Sequence, residues 1–459
     1  MSAESPGASE TQRVIGPLAG FAIVAGSMLG IGIFLSPPIV ARHVGDPLLF
    51  LAIWAAGGLT ALSGAVACGE LGALFPRAGG DYVFQREAFG PSVAFASGWS
   101  LFAAIFSGSI ATMTVALCSY QLPALIGVDL SAQLWPLVGG LTVSGAQLCA
   151  LGLILALTAL NTAGAGPSSR TQSALTLLPV AVLTVFAGFA IARGGAPAAL
   201  ASAAPVAPLT LGSLVLAYNA VYFAYSGWIN VIYVGGEVRR PQRNIPFALI
   251  AGTLVVTVLY LLLCTGFLRV LGLSGIGEAF EAGSATAGAL GGRALQLGLT
   301  LLIASALLAS VNGTVLGGAR VAVAMAEGGA ISRSLARLDP RTGAPRRALW
   351  LQAAIACALV LSGRFEDLLN LVSLTMVLTG TLTVSCVYVL RRARPELPRP
   401  YRASGYPWLP GIYVISSVVV IGVMLERAVA GEPGAAYPLL GLALFASAYV
   451  GHRLSAGRG

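Results

Sequence analysis

The sequence predicts an all-α integral membrane protein with twelve membrane-spanning helices. Of its 459 residues, 57% are hydrophobic and only 9% are charged, whereas a soluble globular domain carries about a quarter charged residues. A helical crossing of a bilayer needs about 20 consecutive apolar residues, and residues 101–120 and 134–166 contain no charge at all. A soluble fold is therefore excluded.

Apolar windows separated by short polar stretches define the spans. The polar start lacks the basic residues and short apolar core of a cleavable signal, so residues 1–13 are expected to remain as a tail. The twelve spans are predicted at residues 14–41, 47–75, 89–119, 134–163, 170–193, 211–236, 246–271, 289–325, 347–362, 367–391, 408–427 and 435–453.

The basic residues predict the orientation. All 26 are arginines, and most fall in the loops that face the cytoplasm if the amino terminus lies inside, as the positive-inside rule requires. Both termini, including residues 454–459, are thus expected in the cytoplasm. The arginines form no single stripe, so no nucleic-acid partner is expected. A chain rich in Ala, Gly and Arg without Lys is typical of bacteria, which predicts the cell inner membrane.

Glycines interrupt the first and sixth spans, in the stretches GSMLGIGIF at 26–34 and YFAYSGW at 222–228. Such interruptions at corresponding places of two halves indicate a transporter site built from broken helices. A half-helix starting near Gly32 would present free amides to a carboxylate, and one ending near Phe223 would present carbonyls to an ammonium. A zwitterionic amino acid matches both. The alternative is helix packing, because Gly26 and Gly30 form a GxxxG motif.

Six stretches resemble the amino acid, polyamine and organocation (APC) superfamily, and especially its L-type branch and bacterial relatives. Besides GSMLGIGIF, they are GELGALFPRAGGDYVF at 69–84, FAYSGW at 223–228, PQRNIP at 241–246, SVNGTVLGGAR at 310–320 and RPELPRPYR at 394–402. The resemblance implies a five-plus-five inverted repeat, residues 14–193 and 194–391, with two further spans in residues 392–453. It also implies amino acid transport by alternating access.

The resemblance further implies which residues contact the substrate. The carboxylate cradle would consist of the amides of Gly30, Ile31 and Gly32, with Gly26 and Ser27 nearby. The ammonium would meet the carbonyls of Phe223, Ala224 and Ser226, and the ring of Phe223 resembles the gate of the family. The substrate side chain would meet Ala104, Ile105 and Ser109. Trp228 and Tyr225 are plausible liners or packing residues.

Two acidic residues, Glu70 and Glu237, lie near the predicted inner ends of spans two and six. With Arg77, Arg239 and Arg240 close in sequence, an ion pair that holds helix ends or an inner gate is preferred to proton transfer. No other acid is expected deep enough to meet a charged substrate. The pocket is therefore predicted to be neutral, and apolar residues on span three favour a small to medium apolar or weakly polar amino acid.

The chain departs from many relatives on span five, where Pro179 stands in place of a lysine implicated in proton coupling. Since no lysine occurs anywhere, exchange or facilitated diffusion ranks first. Proton symport by another group ranks second. Sodium symport ranks third, with Ser305, Ser310 and Thr314 as candidate ligands by residue type only.

No catalytic cluster, cofactor or metal site is predicted. Only two histidines occur, far apart, and none of the six cysteines forms a CxxC motif, so an enzyme is not expected. A non-transporting membrane amino acid sensor remains the alternative from another functional class. Animal L-type relatives pair with a glycoprotein through an extracellular cysteine, but residues 121–133 contain none. The expected partners are the amino acid substrate and the lipid bilayer, without a disulfide-linked subunit.

Overall fold

The computed structural model describes residues 13–130, 134–136, 142–163, 169–195, 209–362, 365–431 and 436–456. These residues are almost entirely helical. In chain order the helices are α1 (Pro17–Met28), α2 (Gly32–His43), α3 (Pro47–Leu74), α4 (Asp81–Phe89), α5 (Pro91–Ile126), α6 (Gly145–Thr162), α7 (Ser169–Arg193), α8 (Leu211–Ala224), α9 (Pro241–Glu278), α10 (Ala282–Glu327), α11 (Arg346–Ser362), α12 (Phe365–Ala393), α13 (Trp408–Val429) and α14 (Ala436–Ala456).

The helices have the length and composition of membrane spans. Among the described residues, seven helices are long and apolar enough to cross a bilayer, or eight if the bent pair α1 and α2 forms one span. Three shorter apolar helices lie at Leu177–Arg193, Leu211–Ala224 and Leu439–Leu454. The prediction of an all-α membrane protein is confirmed. The count of twelve spans and the inverted repeat stay predictions.

Apolar side chains cover the outside of the bundle as well as its core. On α9, Phe247 is 52% exposed and Val258 is 50% exposed, and on α13 Ile415 is 67% exposed. In water such faces would be costly, but a hydrocarbon environment accepts them without penalty. The exposed apolar faces therefore match a chain surrounded by lipid.

The predicted fourth span begins too early. The structure has a short antiparallel hairpin, β1 (Leu134–Pro136) and β2 (Thr142–Ser144), before α6 starts at Gly145. Ser144 and Gln147 form a capping box, in which each side chain bonds the main chain of the other. This cap defines the helix start, so the apolar window counted residues that precede the helix.

Glycine bends lie between the seventh and eighth predicted spans. Gly272 in α9 has φ 67° and Gly292 in α10 has φ 64°, a region that glycine adopts without steric cost. The straight parts of both helices end close to the predicted boundaries at residues 271 and 289. Short helical segments, residues 273–278 and 282–290, form the connection.

The interrupted helices lie inside the bundle. α9 packs against α1, α3 and α7, while α8 packs against α2. The central position of α1, α2 and α8 follows from their small residues, which let neighbouring backbones approach closely.

Candidate functional site

The first interruption separates α1 from α2, which are bent by 41° relative to each other. The amide of Gly30 donates to the carbonyl of Met28 at 2.7 Å. The amides of Ile31, Gly32 and Ile33 have no hydrogen-bond partner within the described part of the chain. The free amides at the start of α2 are therefore those of Ile31, Gly32 and Ile33. The Gly30 amide, which was predicted to contact the substrate carboxylate, already donates to a carbonyl of the protein.

The second interruption ends α8 at Ala224. The sixth span was predicted to run to residue 236, but the chain leaves the α-helix here and continues through 3₁₀ turns at Asn230–Tyr233 and Gly235–Glu237. Gly227, with φ 96°, explains why the helix cannot continue. The carbonyl of Phe223 accepts from the amide of Ser226 at 3.0 Å.

The two interruptions touch each other through glycines. A Cβ atom on Gly32 would overlap the main chain of Ala224 and lie 2.9 Å from the Cβ of that residue. A Cβ atom on Gly227 would lie 2.5 Å from the carbonyl oxygen of Ser27. Carbon atoms in normal contact are about 3.5–4.0 Å apart, so only glycine permits this approach at both places.

Tyr260, on α9, links the same two segments. Its hydroxyl lies 2.5 Å from the carbonyl oxygen of Met28 and 3.1 Å from that of Ala224. The side chain is fully buried, and its ring packs against Tyr225 with 5.0 Å between ring centroids. One hydroxyl group therefore holds the end of α1 beside the end of α8.

A cavity of about 240 Å³ lies beside the first interruption. It extends to the surface at Val14, which is 47% exposed. Its walls come from α1, the 3₁₀ turns and α10. The lining residues are Val14, Ile15, Ala19, Ala22, Ile23, Gly26, Ser27, Asn230, Tyr233, Val234, Glu237, Ala309, Ser310, Asn312, Gly313, Leu316, Gly317 and Arg320.

Only two of the predicted substrate residues, Gly26 and Ser27, line this cavity. The residues of the third span lie elsewhere, because Ala104 and Ile105 form part of a π-helical stretch, Leu101–Phe106, that packs against α10, α11 and α12. The other predicted contacts, none of which lines the cavity, are Gly30, Ile31, Gly32, Ala104, Ile105, Ser109, Phe223, Ala224 and Ser226.

The predicted aromatic gate residues are packed within the protein. Phe223 is only 6% exposed. Trp228 packs against Tyr413 with 5.9 Å between ring centroids and lies against Gly64. Trp228 therefore fills the space between α3 and α13 and does not face the cavity.

The α10 residues at the cavity were missed as substrate contacts. Ser310 had been considered only as a sodium ligand, and its hydroxyl donates to the carbonyl of Gly26 at 3.1 Å. Asn312 accepts from the amide of Asn161 at 2.7 Å. Both residues, with Gly313 and Gly317, belong to the SVNGTVLGGAR stretch. The SVNGTVLGGAR stretch can be recognised in the sequence, but only the tertiary fold shows that it lies opposite the first interruption.

The other two sodium candidates are used locally. Ser305 donates to the carbonyl of Leu302 at 2.7 Å, and Thr314 donates to that of Ser310 at 2.8 Å. Pro179 is buried within α7, which runs through it without interruption. The proline therefore occupies its span without breaking the helix.

Glu237 forms an ion pair at the mouth of the cavity, but with Arg320 instead of Arg239 or Arg240. One carboxylate oxygen accepts from two guanidinium nitrogens of Arg320, at 2.6 and 2.9 Å. The carbonyl of Glu237 also accepts from the amide of Ile15 at 2.9 Å. The start of the chain, the 3₁₀ turns and α10 are thereby tied together where the cavity opens.

Glu70 holds a second ion-paired cluster. It binds Arg391 at 2.5 Å and Arg399 at 3.4 Å, and it accepts from the amide of Ala403 at 2.7 Å. Its side chain is 2% exposed, so these partners balance a buried charge. The expected partner Arg77 is not among its ion pairs in the described residues. Glu70 fixes the segment that connects α12 to α13.

Asp81, at the start of α4, is a buried acid that the sequence reasoning missed. It is 3% exposed, and its Oδ2 accepts from the hydroxyl of Tyr233 at 2.8 Å. Burial raises the pKa of Asp81 to about 6, although the hydrogen bond from Tyr233 opposes this rise. Asp81 is not among the residues that line the cavity, so the expectation that no further acid meets the substrate stays a prediction. In the sequence, the indication of this acid was its position within the GELGALFPRAGGDYVF stretch.

Comparison with known proteins agrees with this architecture. A family model for amino acid permeases matches residues 15–443. The chain is 28% identical to the serine/threonine exchanger SteT of Bacillus subtilis, over 90% of this chain and 91% of the relative. It is 26% identical to the human b(0,+)-type amino acid transporter 1, over 88% and 81% of the two chains. It is 25% identical to the human cystine/glutamate transporter, over 92% and 82%.

These matches cover nearly the whole chain, and the matched proteins are transporters and not enzymes. The interrupted helices that touch at their glycines lie within the matched range. The chain belongs to the amino acid permease family of the APC superfamily and is a multi-pass membrane protein that serves amino acid transport.

Proposed function

We propose that the chain exchanges neutral amino acids across the cell inner membrane by alternating access. The observation that carries this proposal is the contact between the two helix interruptions, with free amides at one and main-chain carbonyls at the other. A substrate carboxylate would bind the amides of Ile31, Gly32 and Ile33, and the N-terminal end of α2 would add a favourable dipole. Its ammonium would bind carbonyls at the end of α8.

The ammonium contacts are expected at Phe223, Ala224 and Ser226. A carbonyl oxygen has two lone pairs, so that of Ala224, which accepts from the hydroxyl of Tyr260, can accept a further hydrogen bond. No hydrogen bond to the carbonyl of Ser226 is found within the described part of the chain. The buried positions of Ala104, Ile105 and Phe223, with Ser109 partly buried, match a conformation in which the outer part of the site is closed.

The cavity supports an inward-facing assignment. It opens at the end of the bundle that carries Arg320, where the arginine-rich loops also lie, and by the positive-inside rule this end faces the cytoplasm. Both termini would then be cytoplasmic. Twelve spans and a five-plus-five inverted repeat belong to the same proposal.

A neutral substrate fits the charges at the cavity. Glu237 and Arg320 pair with each other, which leaves no net charge to meet a charged side chain. The remaining polar groups include Ser27, Asn230 and Asn312. Such groups suit weakly polar or apolar side chains, while a cationic substrate would need an unpaired carboxylate to offset its desolvation. The relatives are named for different substrates, which include serine and threonine in one and cystine and glutamate in another.

Exchange is proposed because the chain lacks the usual coupling groups. Pro179 carries no titratable group, and the hydroxyls of Ser305, Ser310 and Thr314 each donate to a main-chain carbonyl. A proton-coupled symporter is the second candidate, favoured by buried Asp81. A sodium-coupled symporter of amino acids, a proton- or sodium-coupled symporter of polyamines and a non-transporting sensor are weaker alternatives. No disulfide-linked subunit is proposed, because residues 121–133 contain no cysteine.

The decisive experiment is uptake of labelled leucine, alanine, serine and arginine into proteoliposomes. Vesicles are either empty or preloaded with unlabelled amino acid, with and without proton or sodium gradients. We expect uptake of neutral substrates that requires preloading. Uptake into empty vesicles driven by an ion gradient would replace exchange with symport. Saturable binding without uptake would favour a sensor, and preferred accumulation of arginine would refute the neutral pocket.

A further inference from the structure

Asp81 differs from the acids Glu70 and Glu237, near the same end of the bundle, because it has no cationic partner among the described residues. Glu70 and Glu237 each bind arginines, whereas the ion pairs of the described residues do not include Asp81. Its hydrogen bonds come from the neutral hydroxyls of Tyr233 and Thr383, and its Oδ1 atom is buried without a partner among the described residues. An unpaired buried carboxylate is expensive, because the protein does not replace its hydration.

Gln85, one turn further along α4, also has a buried acceptor atom without a hydrogen-bond donor. Its Nε2 donates to the carbonyl of Thr379 at 3.2 Å and to the hydroxyl of Thr383 at 2.8 Å, which determines the orientation of the amide. Its Oε1 atom is buried and has no donor. Residues four apart lie on one face of a helix, so Asp81 and Gln85 bring together two acceptors that lack a donor. A proton on Asp81 would add a donor on this face of α4.

In the part of the chain that the structure describes, no cationic side chain is paired with Asp81. α5 has no charged residue. On the last two turns of α10, Arg320 is bound to Glu237 and Glu327 is exposed. On α4 itself Arg86 is exposed and Glu87 binds Arg394. The titratable groups that face Asp81 from α3, α8, the 3₁₀ turn, α12 and α13 are Cys68, Tyr222, Tyr233, Cys386 and Tyr413.

Tyr233 connects Asp81 to the transport pathway. Its ring lines the cavity, while its hydroxyl donates to Asp81. The same ring packs edge-on against Phe106 on α5, with 5.0 Å between ring centroids. Closing the cavity requires its wall to move, and the residue on that wall also sets the hydrogen bonding of the buried acid.

We propose that Asp81 is a proton-binding group of the transport cycle, which binds a proton more tightly while the cavity is open and releases it more readily when Tyr233 moves with the cavity wall. On deprotonation the carboxyl O–H bond breaks and the proton passes to solvent. Acid then favours the open conformation, because the conformation that binds the proton more tightly becomes more populated as pH falls. This inference rests on the proposed transport function.

The expected size of the pH effect on exchange follows from the raised pKa of Asp81. If the closed conformation leaves the carboxyl near its ordinary value of 3.8, a pKa of about 6 in the open one permits a shift of up to about 100-fold in the conformational equilibrium. With equal pH on both sides of the vesicle, exchange should change at least threefold between about pH 5 and pH 8, with its midpoint near 6.

The main test compares this pH profile in Asp81→Asn, Tyr233→Phe and the wild type. Asp81→Asn should make exchange nearly independent of pH. Tyr233→Phe removes the hydrogen bond that lowers the pKa of Asp81, so the midpoint should move to higher pH. Glu87→Gln, a control in which the acid is paired with Arg394 on the surface, should keep the wild-type profile. A wild-type profile in Asp81→Asn would overturn the proposal.

Thermal unfolding of the purified protein gives a readout that needs no transport. A group whose pKa is raised by folding stabilises the protein below its unfolded pKa, and that contribution is lost as pH rises through the folded value. The melting temperature of the wild type should therefore fall relative to Asp81→Asn between about pH 5 and pH 8. A constant difference would contradict protonation at Asp81. Lack of any exchange by the wild type would instead defeat the transport function.

Discussion

Replacing Gly32 by alanine tests whether the contact between the helix interruptions forms the substrate site. The added Cβ would overlap the main chain of Ala224 and lie 2.9 Å from its Cβ, against about 3.5–4.0 Å for normal contact. The interruptions must therefore separate. Overpacking of this kind costs about 1–3 kcal/mol of stability.

The effect on substrate binding should be larger than the effect on folding. Separation of α2 from α8 moves the free amides away from the carbonyls, so a bound amino acid cannot reach both. A hydrogen bond to a charged group contributes about 1.5–3 kcal/mol, and each 1.4 kcal/mol is about tenfold in affinity. Losing one such bond should weaken substrate binding roughly 10- to 150-fold.

The assay is the concentration dependence of amino acid exchange in proteoliposomes, with melting temperature measured on the same preparation. Gly152→Ala is the matched control, because Gly152 lies on an exposed face of α6 and a Cβ there meets nothing within 4 Å. The control should transport normally. If Gly32→Ala also transports with wild-type KM while folding normally, the two interruptions do not form the site.

Three further predictions concern the supporting contacts. Tyr260→Phe removes the hydroxyl shared by the two interruptions and should raise KM several-fold, while stability falls by about 1 kcal/mol; an unchanged KM would deny it a positioning role. Glu70→Gln should lower stability by up to about 3 kcal/mol because the partly buried Arg391 and Arg399 lose their counter-charge, whereas Glu87→Gln should cost less than about 1 kcal/mol; comparing melting temperatures checks this. Exchange should be unchanged when choline replaces sodium, because the hydroxyls of Ser305, Ser310 and Thr314 already bond main-chain carbonyls; sodium-stimulated uptake would contradict that reasoning.

Much of the fold could be predicted from composition and periodicity. A bilayer requires long apolar helices, and this requirement leaves a clear signal along the chain. Glycine positions also predicted where the first and sixth spans are interrupted. The start of the fourth span could not be located in this way, because hydropathy does not distinguish an apolar hairpin from an apolar helix. The capping box of Ser144 and Gln147 was the better signal.

The candidate site was predicted in part. Gly26 and Ser27 do line the cavity, and Gly32 does meet Ala224. The packing of the third span against α10, α11 and α12, the ion-pair partners of the acids and the packed position of Trp228 could not be derived. Arg391 lies more than three hundred positions from Glu70 in the chain, so their pairing depends on how α12 packs against α3.

The sequence by itself determined the membrane class, the amino acid permease family and the two points at which helices break, since these depend on local composition and on the conformational freedom of glycine. Only the tertiary structure decided which groups face the cavity and which acids acquire arginine partners. Burial and long-range packing control both. Asp81 illustrates the difference: in the sequence it is one more loop acid, but in the fold it is a buried carboxyl hydrogen-bonded to the wall of the cavity.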